Sequence, residues 1–119
     1  MVFDIGYSEQ QTNNIMEFIN KIELQGTVGN VNINKVGDTS VARFSVCTQY
    51  CYKSTDGAIV VDCTWHNCTA WESGKNKIAD IAKGKTVHLT GRIRNFRFMN
   101  ADGSERTGSE IIVHEVSII

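Results

Sequence analysis

Proline is absent from all 119 residues, and the chain holds no low-complexity run and no internal repeat. Punctuation must therefore come from glycine and short polar clusters. No apolar stretch approaches the roughly 18 residues of a membrane-spanning helix. A secretory leader is not expected either, since Asp4, Glu9 and Glu17 precede the first base, Lys21. These absences lead to the expectation of a soluble, cytoplasmic protein without membrane partners.

Cysteine is scarce. The four residues Cys47, Cys51, Cys63 and Cys68 are spaced C-x3-C and C-x4-C, whereas zinc fingers and ribbons prefer two residues between at least one pair. On an unbroken strand Cys63 and Cys68 also face opposite sides. No metal and no cofactor is expected, and the thiols are expected to be reduced and partly buried. Clustered carboxylates are missing too: Asp56, Asp62, Asp80 and Asp102 lie apart with no shared motif. Magnesium-dependent nuclease chemistry would want them together. With no Ser/His/Asp or Cys/His arrangement, no catalytic role is expected.

A net charge of −1 conceals an uneven distribution. Residues 1–19 carry three acids and no base. Between Lys75 and Arg97 stand seven bases (Lys75, Lys77, Lys83, Lys85, Arg92, Arg94, Arg97) and one acid, Asp80. That is a local basic patch suited to an anionic partner on an otherwise neutral chain.

Five segments rich in β-branched and aromatic residues read as strands: 20–31, 41–52, 58–71, 86–98 and 110–119. Clusters at 32–40, 53–58, 72–77 and 100–109 read as the connections. Ile22, Leu24, Gly26 and Val28 share one parity, as do Ala42, Phe44 and Val46, and Val87, Leu89, Gly91 and Ile93. Asp56-Gly57 and Asp102-Gly103 are hairpin signals. Ile78, Ile81 and Ala82, with Gly84 behind them, predict one short helix between the third and fourth strands. Ile15, Phe18, Ile19 and Ile22 fit a second helical stripe, taken over residues 12–18, with strand from Asn20. Five strands with a helix between the third and fourth is the order of an all-β OB-fold, a Greek-key barrel that binds oligonucleotides or oligosaccharides on one face.

The segment "GRIRNFRF" sets Arg92, Arg94, Phe96 and Phe98 on one face of the fourth strand, with Arg97 opposite. In "CTWHNCTAW" Trp65, Asn67, Thr69 and Trp71 share a face, and the smaller His66, Cys68 and Ala70 share the other. Aromatic faces interleaved with arginine suit a single strand: bases stack on the rings while cations follow the phosphates. A duplex reader would need a helix or ribbon shaped for a groove, and none is evident.

With "NKIELQGTVG", "VARFSVCT", "TWHNCTAW", "GRIRNFRF" and "DGSERTGSEIIVHEV" in this order, residues 20–119 resemble the bacterial-type single-stranded DNA-binding proteins. The resemblance implies a DNA-binding domain over 20–119, an N-terminal extension over 1–19 and assembly as a homotetramer. It implies stacking positions at Tyr52, Trp65, Trp71 and Phe98, with Phe96 beside them. The family's phosphate contacts on the fourth strand correspond to Arg92 or Arg94 and to Arg97, with Arg94 the clearest match and Lys53 and Lys75 as further basic candidates. His66 corresponds to a position near a subunit contact and reads as structural. The sequence ends at Ile119 without the glycine- and proline-rich, acid-tipped tail common in the family, so recruitment of replication or repair enzymes is not expected of it. The resulting expectation is sequence-independent single-stranded DNA binding in replication, recombination and repair. The alternative is an OB-fold accessory subunit, similar to primosomal proteins, acting mainly through protein contacts.

Overall fold

The computed structural model describes residues 17–119. The helical stripe expected over 12–18, and most of the extension 1–19, lie outside the described residues; Glu17–Lys21 have no regular structure.

Five strands follow: β1 (Ile22–Val36), β2 (Thr39–Lys53), β3 (Ile59–Trp71), β4 (Thr86–Met99) and β5 (Glu105–Ile118). They close into a barrel in the order β1-β2-β3-β5-β4. This is the expected five-stranded OB barrel. Closure depends on β1, whose first half pairs with β4 from Ile22↔Gly91 to Thr27↔Thr86. Its second half pairs with β2, from Val31↔Phe44 to Val36↔Thr39, after an irregularity between Val28 and Val31. A bulge of this kind bends one strand so that it can serve two neighbours. Glycine is required where the strands approach most closely. A Cβ on Gly26 would lie 2.2 Å from the Cys47 carbonyl oxygen, and one on Gly91 would lie 2.2 Å from that of Ile112.

The core follows the expected alternation. Val28, Ala42, Phe44, Val46, Val87 and Leu89 are buried, with Ile111, Val113 and Val116 from β5. Ile93 departs from it: it keeps the core parity but is 46% exposed, because β1 stops pairing with β4 at Gly91. The expected helix is only a three-residue 3₁₀ turn, Ile78–Asp80. Helix nucleation fixes several residues for a single hydrogen bond, and a stripe of one turn gains little beyond that. Ile78 and Ile81 are nevertheless buried in the core, so the apolar spacing marks a barrel plug rather than a helix. Gly84 follows with φ +87°. Asn76, also buried, ties this plug to β5: its Nδ2 donates to the His114 carbonyl and its Oδ1 accepts from Val116 N–H, both at 3.1 Å.

Strands run further than the sequence suggests. Residues 32–40 form no open loop; they complete β1 and open β2 around a tight turn at Gly37-Asp38, where Gly37 has φ +62°. Residues 105–109 likewise belong to β5. The two Asp-Gly hairpins are built alike. In each, an aspartate side chain accepts from residues of its own turn: Asp56 from Ser54 and Ala58, Asp102 from Ser104. These bonds to the ionised form hold both carboxyls below their usual range, Ser54 being the main cause for Asp56 and Ser104 for Asp102.

β3 and β5 meet only at Cys68↔Ile111 and Thr69↔Ile112, in parallel. Beyond that junction the β2–β3 ladder continues to Lys53↔Ile59 and the β4–β5 ladder to Met99↔Glu105. The barrel therefore carries two long two-stranded arms.

The cysteines differ from expectation. Cys47 and Cys63 form a disulfide, with Cα atoms 6.2 Å apart. Cys47 stands opposite Trp65, and Gln49 opposite Cys63, so the two cysteines are diagonal neighbours on one face of the hairpin. Counting parity within one strand cannot reveal a pair that spans two. Cys51 is a free exposed thiol and Cys68 a free buried one, whose pKa burial pushes up to about 12. Among the described residues no group of His, Cys, Asp and Glu could hold a metal ion.

Candidate nucleic-acid interface

The outer face of β3 presents Trp65, 58% exposed, and Trp71, 43% exposed. The opposite parity is spent on Cys68 and Ala70 in the core. Register places Arg43 of β2 opposite Thr69, Ser45 opposite Asn67 and Cys47 opposite Trp65. Trp65 lies against β1 because residue 29 is glycine: a Cβ there would sit 2.5 Å from the indole ring. The floor beneath this ring is backbone, which lets a large side chain lie along the sheet while much of it stays open to solvent.

The β4–β5 arm repeats the device. Phe96 stands opposite Gly108, and a Cβ on Gly108 would come within 2.8 Å of the ring. Phe98, two residues on, is about half exposed, and its ring centroid lies 5.9 Å from that of Phe96. On the other arm Tyr50 and Tyr52 form a matching pair 6.1 Å apart. Each arm thus carries two aromatic rings at i and i+2. Tyr52 does not share the pleat face of Trp65, since it pairs with Val60 while Cys47 pairs with Trp65, at odd and even positions. The aromatics form a platform on the barrel and a ladder on each arm, rather than one continuous face.

The arginines are not equivalent. An Arg94 nitrogen lies 3.0 Å from Glu110, the residue facing it across the ladder. The second Glu110 oxygen accepts from the Thr69 hydroxyl at 2.8 Å. Glu110 is only 17% exposed in its side chain, so it anchors Arg94 to β3 as well as to β5. Arg97 makes a longer, exposed contact of 3.4 Å with Glu105, of a kind that contributes little to stability. Arg92 and Arg43 have no ion-pair partner among the described residues.

Between the arms runs a groove of about 660 Å³ bordered by Arg43, Asn67, Thr69, Arg94, Phe96 and Arg97. Arg43, Asn67 and the Thr69–Glu110 link are absent from the sequence-derived site. Arg43 could have been found, because it alternates with the buried Ala42 and Phe44 and must point outward. The link could not, because it joins residues 41 positions apart. Lys53 ends β2 in the exposed tip of its arm, and Lys75 is exposed in the β3–β4 connection; neither lines this groove. His66 is half-buried and pairs through Nε2 with the Thr48 hydroxyl at 2.9 Å across the hairpin.

The sequence profile of the single-strand binding protein family matches residues 19–119. The chain belongs to that family. Its members are binding proteins rather than enzymes. A single-stranded DNA-binding protein of Neisseria meningitidis is 33% identical over 109 residues, covering 85% of this chain and 60% of that protein. One from Xylella fastidiosa is 30% identical over 108 residues, covering 85% and 63%. The chain thus spans about 60% of the length of the curated relatives it matches. Among solved structures, the SSB of Plasmodium falciparum in complex with ssDNA superposes with a TM-score of 0.74 at 22% identity, covering 88% of this chain and 97% of that one. A small single-stranded DNA-binding protein from Streptomyces coelicolor gives 0.66 at 19% identity, with 87% and 96% covered. At these identities the likeness speaks for the barrel and its arms.

Proposed function

We propose that this protein binds single-stranded DNA without sequence preference, shielding it during replication, recombination and repair. The observation that carries the reading is the pair of half-exposed tryptophans on the outer face of β3, beside a groove edged by arginines. A ring held over a glycine floor offers one flat side to a base, and every base has such a side, so stacking does not select sequence. Trp65, Trp71, Phe96, Phe98 and Tyr52 are the stacking positions. Arg92, Arg94 and Arg97 take phosphates together with Arg43, while Lys53 and Lys75 extend the basic path at the edges.

Titrating the protein with poly-dT is expected to quench its tryptophan fluorescence strongly, because Trp65 and Trp71 are the only tryptophans. An emission spectrum unchanged at saturating DNA would remove both from the interface and refute the platform.

The protein assembles in this reading as a homotetramer in the cytoplasm, with DNA passing over several barrels. Supporting it are apolar side chains left in solvent on a single chain, among them Ile33, Val36, Ile59 and Val61. Sedimentation at micromolar concentration is expected to give a multiple of the 13.3 kDa chain mass; the monomer mass itself would contradict assembly.

A further inference from the structure

Backbone pairing between β3 and β5 ends after two residue pairs, Cys68↔Ile111 and Thr69↔Ile112. Glu110 is the first residue of β5 beyond that seam, on the side where the arms diverge. It faces Arg94 across the β4–β5 ladder, and Thr69, Glu110 and Arg94 all border the groove between the arms. Thr69 is buried, Glu110 mostly so, and Arg94 half-exposed.

The two carboxylate oxygens of Glu110 are divided between partners. Oε1 accepts from the Thr69 hydroxyl at 2.8 Å, and Oε2 lies 3.0 Å from Nη2 of Arg94. A carboxylate with both oxygens open tends to take two parallel N–H bonds from one edge of a guanidinium. The Thr69 hydroxyl occupies one of those oxygens, so Arg94 is held through a single nitrogen. A guanidinium has five N–H donors, and those that Glu110 does not use can meet a phosphate. Thr69 itself is too deeply buried to meet a DNA strand.

We propose that Thr69 is a positioning residue for the single-strand contact: its hydroxyl keeps Glu110 from closing on Arg94 with both oxygens and so leaves the guanidinium open to phosphate. The phosphate contact rests on the DNA-binding reading above; the hold of Thr69 and Glu110 on Arg94 does not.

The test compares Thr69→Val, which removes the hydroxyl and keeps the branched shape, with Thr69→Ser, which keeps the hydroxyl. Without DNA, the Nε–H resonance of Arg94 is expected to move in Thr69→Val and to stay near the parent position in Thr69→Ser. With oligo-dT at low salt, Thr69→Val is expected to bind roughly two- to tenfold more weakly, the span of one ordinary hydrogen bond. Its slope of log K against log[salt] should flatten by up to about 0.7. Exchange of one neutral side chain for another can alter that slope only through a charged group. Thr69→Ser should restore both affinity and slope, and beside Arg94→Ala the valine should cost nothing further. Thr69→Ala carries the same expectations should Thr69→Val fail to fold. An unmoved Arg94 resonance, a parental slope in Thr69→Val, or a full additional loss beside Arg94→Ala would each overturn the proposal. A serine variant as weak as the valine one would overturn the role of the hydroxyl. If no variant and no parent protein bound oligo-dT while the resonance still moved, the DNA-binding reading would fail and the hold on Arg94 would stand.

Discussion

Arg94→Ala is expected to weaken oligo-dT binding by about 2 kcal/mol, more than Arg92→Ala, although Arg94 already has an ion-pair partner. Arg92 has no ion-pair partner among the described residues; as a proposed phosphate contact, its removal should flatten the slope of log K against log[salt] by about 0.7. Removing Arg94 does this and also strands Glu110, a mostly buried carboxylate held at 3.0 Å by that guanidinium. Glu110 then keeps only its hydrogen bond from Thr69; the lost partner lowers folding stability, while the uncompensated carboxylate in the groove repels the incoming phosphate and weakens binding. Adding Glu110→Gln to Arg94→Ala should therefore recover much of the loss. Phe98→Ala provides the contrast. It removes a stacking surface worth ~1–3 kcal/mol if a base lies there, and should leave the salt slope nearly unaltered because no counterion-releasing contact is lost. The measurement is oligo-dT affinity across a salt series for the four variants, with unfolding curves as a check on the fold. Wild-type affinity in both Arg94→Ala and Phe98→Ala would mean that the arm is structural.

Gly26→Ala is expected to destabilise the barrel by roughly 3 kcal/mol, near the top of the range for overpacking. The added methyl would lie 2.2 Å from the Cys47 carbonyl oxygen and 2.9 Å from a Val46 methyl. Backbone oxygen cannot rotate away as a flexible side chain would, so β1 or β2 must move. Both are fixed: β1 by β4 on one side, and β2 by its ladder to β3. The effect should appear as a lower urea midpoint with an unchanged m-value. Gly57→Ala is the control, since a Cβ there meets nothing within 4 Å; its cost comes from φ +89° alone. Equal midpoints for Gly26→Ala and the parent would show that the two strands are not in close contact at this point.

Much of the candidate interface was legible because a strand alternates with a period of two. Trp65 and Trp71 had to point away from Cys68 and Ala70, and Arg92, Arg94, Phe96 and Phe98 away from Val87 and Leu89. Ile93 shows the limit of parity, which predicts a direction and not whether another strand lies there. The plug at Ile78 and Ile81 shows another: apolar spacing predicts burial, while length decides whether a helix can form. Residues 32–40 misled because their polar composition resembles a loop, yet on a hairpin exposed on both faces polar residues are tolerated in strand.

By itself the sequence determined the number and order of the strands, the two Asp-Gly turns, the direction of the aromatics on β3 and β4 and the charge asymmetry, since all of these depend on neighbours within a few residues. Only the tertiary structure decided which side chains meet across strands. The Cys47–Cys63 bond, the Thr69–Glu110–Arg94 link and the glycine floors under Trp65 and Phe96 all depend on register. So does the division of the aromatics between a barrel face and two arms. Register is set by turn geometry and by closure of the whole barrel together, and neither acts within the reach of a local sequence pattern.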